Sequence, residues 1–125
     1  IVPICECTID VAIVCCDSST SSSLTFPYFT SLTAGEYWNG IVIGNPSSSA
    51  GSCDLTAYER DGSVGTATVA VPAKGLYVNT LESITWSGSG LGGEPAYIKA
   101  LCNYGSSFGF FMMSNGVASM GAKVP

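Results

Sequence analysis

The sequence contains no histidine. Serine and cysteine triads of the usual kind, imidazole acid–base catalysis and histidine-based metal sites are therefore excluded. A glycosidase would instead need two carboxylates facing each other across a cleft, and no spacing among the nine acidic residues singles out such a pair. We expect no enzymatic activity, no catalytic residues, no metal and no cofactor. The acidic residues are Glu6, Asp10, Asp17, Glu36, Asp54, Glu59, Asp61, Glu82 and Glu94.

Charge is also scarce. Charged residues make up 10% of the 125 residues, whereas 46% are hydrophobic and the mean hydropathy is +0.38. Soluble domains typically carry about 25% charged residues. A surface with so little charge is normally covered in part by a partner, and the simplest partner is another copy. We therefore expect a homo-oligomer or a polymer.

The charge that is present is mainly negative. The formal net charge is −5, and Arg60, Lys74, Lys99 and Lys123 are scattered along the sequence. This balance argues against nucleic acid and against an anionic membrane surface as partners. No apolar run reaches 18 residues, so no membrane span is predicted.

The sequence contains six cysteines, an even number that is typical of disulfide-bonded chains. They are Cys5, Cys7, Cys15, Cys16, Cys53 and Cys102. The C-x-C and C-C spacings without histidine favour disulfides over a zinc site. Six cysteines allow 15 connectivities. Among these we expect Cys15 and Cys16 to close on Cys5 and Cys7, and Cys53 to bond with Cys102. Disulfides indicate an oxidising compartment, and the start at Ile1 is typical of a mature secreted chain after signal-peptide removal.

The N-terminal 23 residues differ from the rest. Residues 1–16, called the arm below, are apolar, and residues 17–23 form a serine-rich hinge typical of flexible connectors. Residues 24–125 form the body. The arm is either the first strand of its own fold or a strand that crosses to a neighbour, as in β-augmentation. Its candidate subunit contacts are Ile1, Val2, Ile4, Ile9, Val11 and Ile13.

The body alternates β-branched and aromatic runs with turn sequences, and no helical period is sustained. The spacing predicts an all-β antiparallel sandwich, either immunoglobulin-like or jelly-roll-like. Asn115-Gly116 predicts a tight hairpin turn. The predicted strands cover 24–29, 37–44, 53–59, 66–71, 76–81, 96–102, 108–114 and 117–120.

Two of the predicted strands are apolar on both faces, at 40–43 and 108–113. In a sandwich only one face of each sheet meets the core. The second apolar face must then be covered by another chain or by the arm. We therefore take Phe110, Phe111, Met112 and Met113 as further candidate subunit contacts.

Three segments carry a resemblance: FPYF at 26–29, YWNGIVIGNP at 37–46 and AYERDG at 57–62. They resemble a broad group of bacterial secreted or cell-surface β-sandwich domains with an F-P-x-F start, a W-x-G-[IVL]-x-[IVL]-x-N-P strand and turn, and a strand closing in D-G. The resemblance covers roughly residues 26–85. It implies an extracellular location and a sandwich fold, and it implies no activity.

Two segments have binding interpretations beside ordinary ones. Residues 59–62 could be half of a calcium loop, although a charged turn fits them better. Seven aromatic residues could form a sugar-stacking platform, although strand aromatics more often belong to cores or interfaces. The seven are Tyr37, Trp38, Tyr58, Tyr77, Trp86, Tyr97 and Tyr104.

The pattern as a whole predicts a structural subunit of an extracellular homopolymer: a filament, a pilus-like fibre or a surface layer. Strand contacts between subunits and disulfides would hold it together. One alternative is a secreted β-sandwich module that binds carbohydrate or protein. A third is a viral coat or decoration protein.

Overall fold

A computed structural model of the chain describes residues 21–124. Eight antiparallel strands and one 3-10 turn, Leu81–Ser83, make up its regular structure. The predicted all-β sandwich is confirmed. Residues 21–124 contain no helix with the length and hydropathy of a membrane span. The strands are β1 Ser22–Phe29, β2 Trp38–Asn45, β3 Gly51–Glu59, β4 Val64–Val71, β5 Gly75–Thr80, β6 Ala96–Cys102, β7 Phe108–Ser114 and β8 Ser119–Val124.

The strands form two four-stranded sheets. Sheet A has the order β1-β6-β3-β4, and sheet B has the order β5-β2-β7-β8. Hairpins join β3 to β4 and β7 to β8, and every other connection crosses between the sheets. Strands β1 and β4 are the edges of sheet A, while β5 and β8 are the edges of sheet B.

The core lies between the sheets and is built from alternate residues of each strand. In β2, Ile41 and Ile43 are fully buried, and in β6, Ile98 is fully buried. Phe29 of β1 and Phe111 of β7 meet edge to face, with ring centroids 5.7 Å apart. This contact joins the two sheets, because β1 belongs to sheet A and β7 to sheet B.

A disulfide between Cys53 and Cys102 ties the centre of sheet A, as expected from the sequence. The two cysteines lie directly opposite each other on β3 and β6, and both are fully buried. Tyr104 lies beside them, with its hydroxyl 3.4 Å from Cys53 Sγ. The same hydroxyl donates a 3.0 Å hydrogen bond to the carbonyl of Gly44 in β2. Tyr104 therefore links the disulfide end of sheet A to β2 of sheet B.

Strand boundaries differ from those predicted by one to four residues in six of the eight strands, and two of these differences have a clear cause. Ser22 and Ser23 belong to β1 and not to the hinge, because they pair with Cys102 and Leu101 of β6. The β7–β8 connection is a four-residue turn and not a tight one. The turn is longer because Oδ1 of Asn115 accepts hydrogen bonds from the backbone N–H groups of Val117 and Ala118, which holds both residues in the turn. Strand β8 therefore begins only at Ser119.

We expect the double variant C53A/C102A to fold less stably than the wild type by roughly 2–4 kcal/mol. The bond closes a loop between cysteines 49 residues apart, and its loss frees the unfolded chain. Urea unfolding of both proteins measures the difference. Equal unfolding free energies would show that the bond contributes nothing.

We expect Tyr104→Phe to lower the free energy of unfolding by about 1 kcal/mol, since the variant cannot donate the hydrogen bond to the Gly44 carbonyl.

The same variant should change the pH dependence of stability. Burial raises the pKa of Tyr104 above its ordinary 10.0. As pH rises, the unfolded chain loses this proton first, so the folded state loses stability above the unfolded pKa. Urea unfolding at neutral and alkaline pH should show a smaller alkaline loss for Y104F than for the exposed control Tyr28→Phe.

Candidate functional site: the apolar face of sheet B

The outer face of sheet A behaves as a solvated sheet should. Polar residues occupy many of its outward positions, among them Thr25, Asp54, Thr66, Thr68 and Lys99, beside the exposed apolar side chains of Tyr28, Val64, Tyr97 and Leu101. Asp54 accepts a 2.8 Å hydrogen bond from the Thr68 hydroxyl across the β3–β4 pair. This side of the sandwich is suited to water.

The outer face of sheet B is different, and we call it the sheet B face. The register places apolar residues and glycines at nearly every outward position of β2, β5 and β7. Among the described residues of this face, Lys123 at the edge strand β8 is the one with a charge. The outward apolar side chains are Trp38, Val42, Leu76, Val78, Phe108, Phe110 and Met112.

Glycines let the large side chains of this face lie flat. The ring of Phe108 covers Gly44 so closely that a Cβ there would overlap it. A Cβ at Gly121 would lie 2.8 Å from Cζ of Phe110. One at Gly40 would lie 3.1 Å from Cγ of Met112. The rings therefore rest on the backbone, and the face is broad and level.

The face is large for a surface exposed to water. Val78 is 63% exposed, Leu76 51% and Phe108 46%. Four strands of six to eight residues span roughly 20 Å by 20–25 Å. Isolated exposed apolar residues are common, whereas a continuous patch of about 300–600 Å², the size of the largest patch on a typical monomer, is often functional.

The chemistry of this face is restricted to burying apolar area. It offers one ammonium at its rim and neither an acidic pair nor a cleft with converging polar groups. In residues 21–124, no three or more aspartate, glutamate or cysteine side chains form a group that could hold a metal ion. Such a surface suits another apolar protein surface better than a small polar ligand.

The structure divides the predicted subunit contacts of β7. Phe110 and Met112 lie on the sheet B face, as two-sided burial requires. Phe111 and Met113 are 5% and 3% exposed and belong to the core of the same chain. The prediction is therefore wrong for these two, because alternate residues of a strand point to opposite faces.

Other predicted residues lie outside the described part of the chain. These are the arm contacts Ile1, Val2, Ile4, Ile9, Val11 and Ile13, together with Cys5, Cys7, Cys15 and Cys16. Sequence reasoning missed Leu76 and Val78 of β5 and Trp38 of β2 as face residues. The signal available in the sequence was the alternation in LYVN at 76–79; in the structure Leu76 and Val78 are exposed, while Tyr77 and Asn79 are half-buried.

The proposed sugar platform is assembled only in part. Tyr58 and Tyr97 stack on the outside of sheet A, with centroids 5.0 Å apart, and Tyr28 lines the same shallow cleft. The other five aromatics lie elsewhere. Tyr37, Tyr77 and Trp86 pack against the core, Tyr104 is buried, and Trp38 is on the sheet B face.

Residues 59–62 form the charged turn between β3 and β4. Gly62 has φ of +91°, and its N–H donates to the carbonyl of Glu59. The Glu59 carboxylate is buried and accepts from the N–H of Gly92. Hydrogen bonds from the backbone and side chain of Ser63 hold the pKa of Asp61 below its usual value. The Asp61 carboxylate thus shapes the turn, and the Glu59 carboxylate joins the turn to the loop that contains Gly92.

Comparisons with known proteins support the fold. No protein-family model matches the sequence, and no curated protein matches it. Among solved structures, the crystal structure of Thermotoga maritima 1070 is similar, with a TM-score of 0.67 at 13% identity. The match covers 86% of this chain and 95% of that chain. At this identity the likeness concerns the fold alone.

We expect Gly44→Ala to destabilise the chain by about 1–3 kcal/mol, because the new methyl group must displace the Phe108 ring. In a Phe108→Ala background the same change should cost much less. Gly92→Ala is the matched control, since no atom lies within 4 Å of its Cβ position. Urea unfolding of the four variants gives the coupling between positions 44 and 108. Equal costs in both backgrounds would mean that the ring is not seated on Gly44.

Proposed function

We propose that the protein is a structural subunit of an extracellular homopolymer, such as a filament, a pilus-like fibre or a surface layer. The observation that carries the proposal is the sheet B face: a flat apolar surface on an otherwise complete sandwich. Covering it with protein removes apolar area from water, at about 25 cal/mol per Å². A face of roughly 450 Å² supplies about half of the ~800 Å² that each partner buries in a standard interface.

Composition favours another copy as the partner. Charged residues are 10% of the sequence, so a solution of single chains would expose many apolar patches and few repelling charges. The strand edges add a second means of contact. Within residues 21–124, β5 and β8 each pair on one side, and unpaired edges can accept a strand from a neighbour.

The buried Cys53–Cys102 bond supports the extracellular part of the proposal. Disulfides form and persist in secreted and surface proteins, while cytosolic thiols are kept reduced. A subunit of an exposed assembly benefits from a cross-link that survives outside the cell. The proposal assigns the protein no catalytic role.

A second candidate function is a secreted module that binds carbohydrate. The cleft of Tyr28, Tyr58 and Tyr97 favours it, because aromatic rings stack on the apolar faces of sugars. Arg60 and Glu94 form an exposed ion pair, with nitrogen and oxygen 2.6 Å apart. Arg60 also lines this cleft and could bind hydroxyl groups. A module of this kind would act as a single chain.

We expect the wild-type chain to assemble in solution and Leu76→Asp to abolish assembly, since it places a charge on the sheet B face, in the edge strand β5. Leu101→Asp is the matched control: Leu101 is also a strand leucine, 55% exposed against 51% for Leu76, but on the outside of sheet A. Light scattering coupled to size-exclusion chromatography, with negative-stain microscopy, measures the result.

In this comparison L101D should assemble like the wild type. A wild-type chain that stays a single species near 12.8 kDa at high concentration would overturn the polymer and favour the binding module. Equal loss of assembly in L76D and L101D would show that the sheet B face has no special part.

A further inference from the structure

Symmetry restricts what can cover the sheet B face in a polymer. If two sheet B faces packed on each other, the contact would be isologous, and it would close at a dimer. The sheet B face can propagate an open polymer by itself only through a heterologous contact, in which this face of one copy meets a different surface of the next. A homopolymer that grows through this face alone therefore requires a second apolar surface on the chain.

The outer face of sheet A is not that surface. It carries Asp54 and Lys99 together with a row of threonines. Packing it on the sheet B face would bury these groups against side chains that offer almost no hydrogen bonds, and each such group would lose its water. The polar and apolar faces are poorly matched.

The arm has the required composition. Isoleucine, valine, alanine and cysteine account for 12 of residues 1–16. Its charged side chains, Glu6 and Asp10, are both acidic, whereas the charge on the sheet B face is the cation Lys123. The two surfaces are thus alike in apolarity and opposite in charge, which favours their association in one orientation.

The position of the arm allows it to reach a neighbour. Residues 17–21 connect it to Ser22, the first residue of β1, and five residues span at most about 17 Å. The start of β1 lies near the end of β8: Gly109 contacts Leu24 and Phe26, and it pairs with Val124. Ser22, which follows the arm and hinge in sequence, therefore lies at one end of the edge strand β1 and near the end of β8, an edge strand of sheet B.

We propose that the arm of one copy covers the sheet B face of the next copy, with Ile9, Val11 and Ile13 among its contacts. This inference rests on the proposed polymer. An arm that folded back onto its own sheet B would hide the face and leave no heterologous contact for growth. Exchange of the arm joins each subunit to the next in one direction.

The test uses two full-length variants that each damage one half of the contact. I9S/V11S/I13S makes the arm polar and keeps the face, whereas L76D damages the face and keeps the arm. Each variant alone should remain a single chain near 12.8 kDa. Mixed in equal amounts, they should form a two-chain complex that grows no further, because one intact arm meets one intact face.

Other outcomes overturn the inference. If I9S/V11S/I13S assembles like the wild type, the proposed polymer forms without the arm, and the arm does not connect its subunits. If the mixture stays monomeric while the wild type assembles, the arm acts only within its own chain. Urea unfolding checks that each variant is folded, and Val78→Asp, at a 63% exposed position of the same strand, replaces L76D should that variant unfold. Failure of the wild type itself to assemble would instead remove the proposed function.

Discussion

The pairing of β2 with β7 is the interaction on which the rest of the molecule depends. Its register sets Ile41 opposite Phe111 on the inner side of sheet B, and Val42 opposite Phe110 on the outer side. Because side chains alternate along a strand, a slip of one residue would exchange the two sides. One ladder of backbone hydrogen bonds therefore fixes both the core and the apolar face.

The two sheets differ in the character of their outer faces. Sheet A holds the disulfide, a polar outer surface and strands that alternate cleanly, so it satisfies the ordinary requirements of a protein in water. Sheet B completes the core through Phe111 and has an outer side that water does not favour. Tyr104 and the Phe29–Phe111 contact connect the two sheets. The sandwich described by residues 21–124 thus has a core of its own, and the proposed association would add to a fold that is already formed.

Sequence reasoning located β6 and β7 within their observed bounds, because both runs are rich in strand-forming residues and end at clear turn sequences. It failed at β8, where the Asn115 side chain holds Val117 and Ala118 in the turn. It recognised that 108–113 has two apolar sides but could not assign them, since periodicity gives alternation and not direction. Phe111 and Phe110 look equivalent in a sequence, and only the packing of sheet B against sheet A separates them.

The glycines of sheet B explain why the face is both apolar and level. A glycine inside a strand weakens it by about 0.5–1 kcal/mol relative to alanine. Gly40, Gly44 and Gly121 each lie beneath a large side chain of a neighbouring strand, and such close approach needs the missing Cβ. A rough surface would leave gaps at a contact, whereas side chains laid flat on glycine permit close packing over the whole sheet. The stability that each strand loses by carrying a glycine is therefore consistent with the proposed role of the face as a contact surface for another protein.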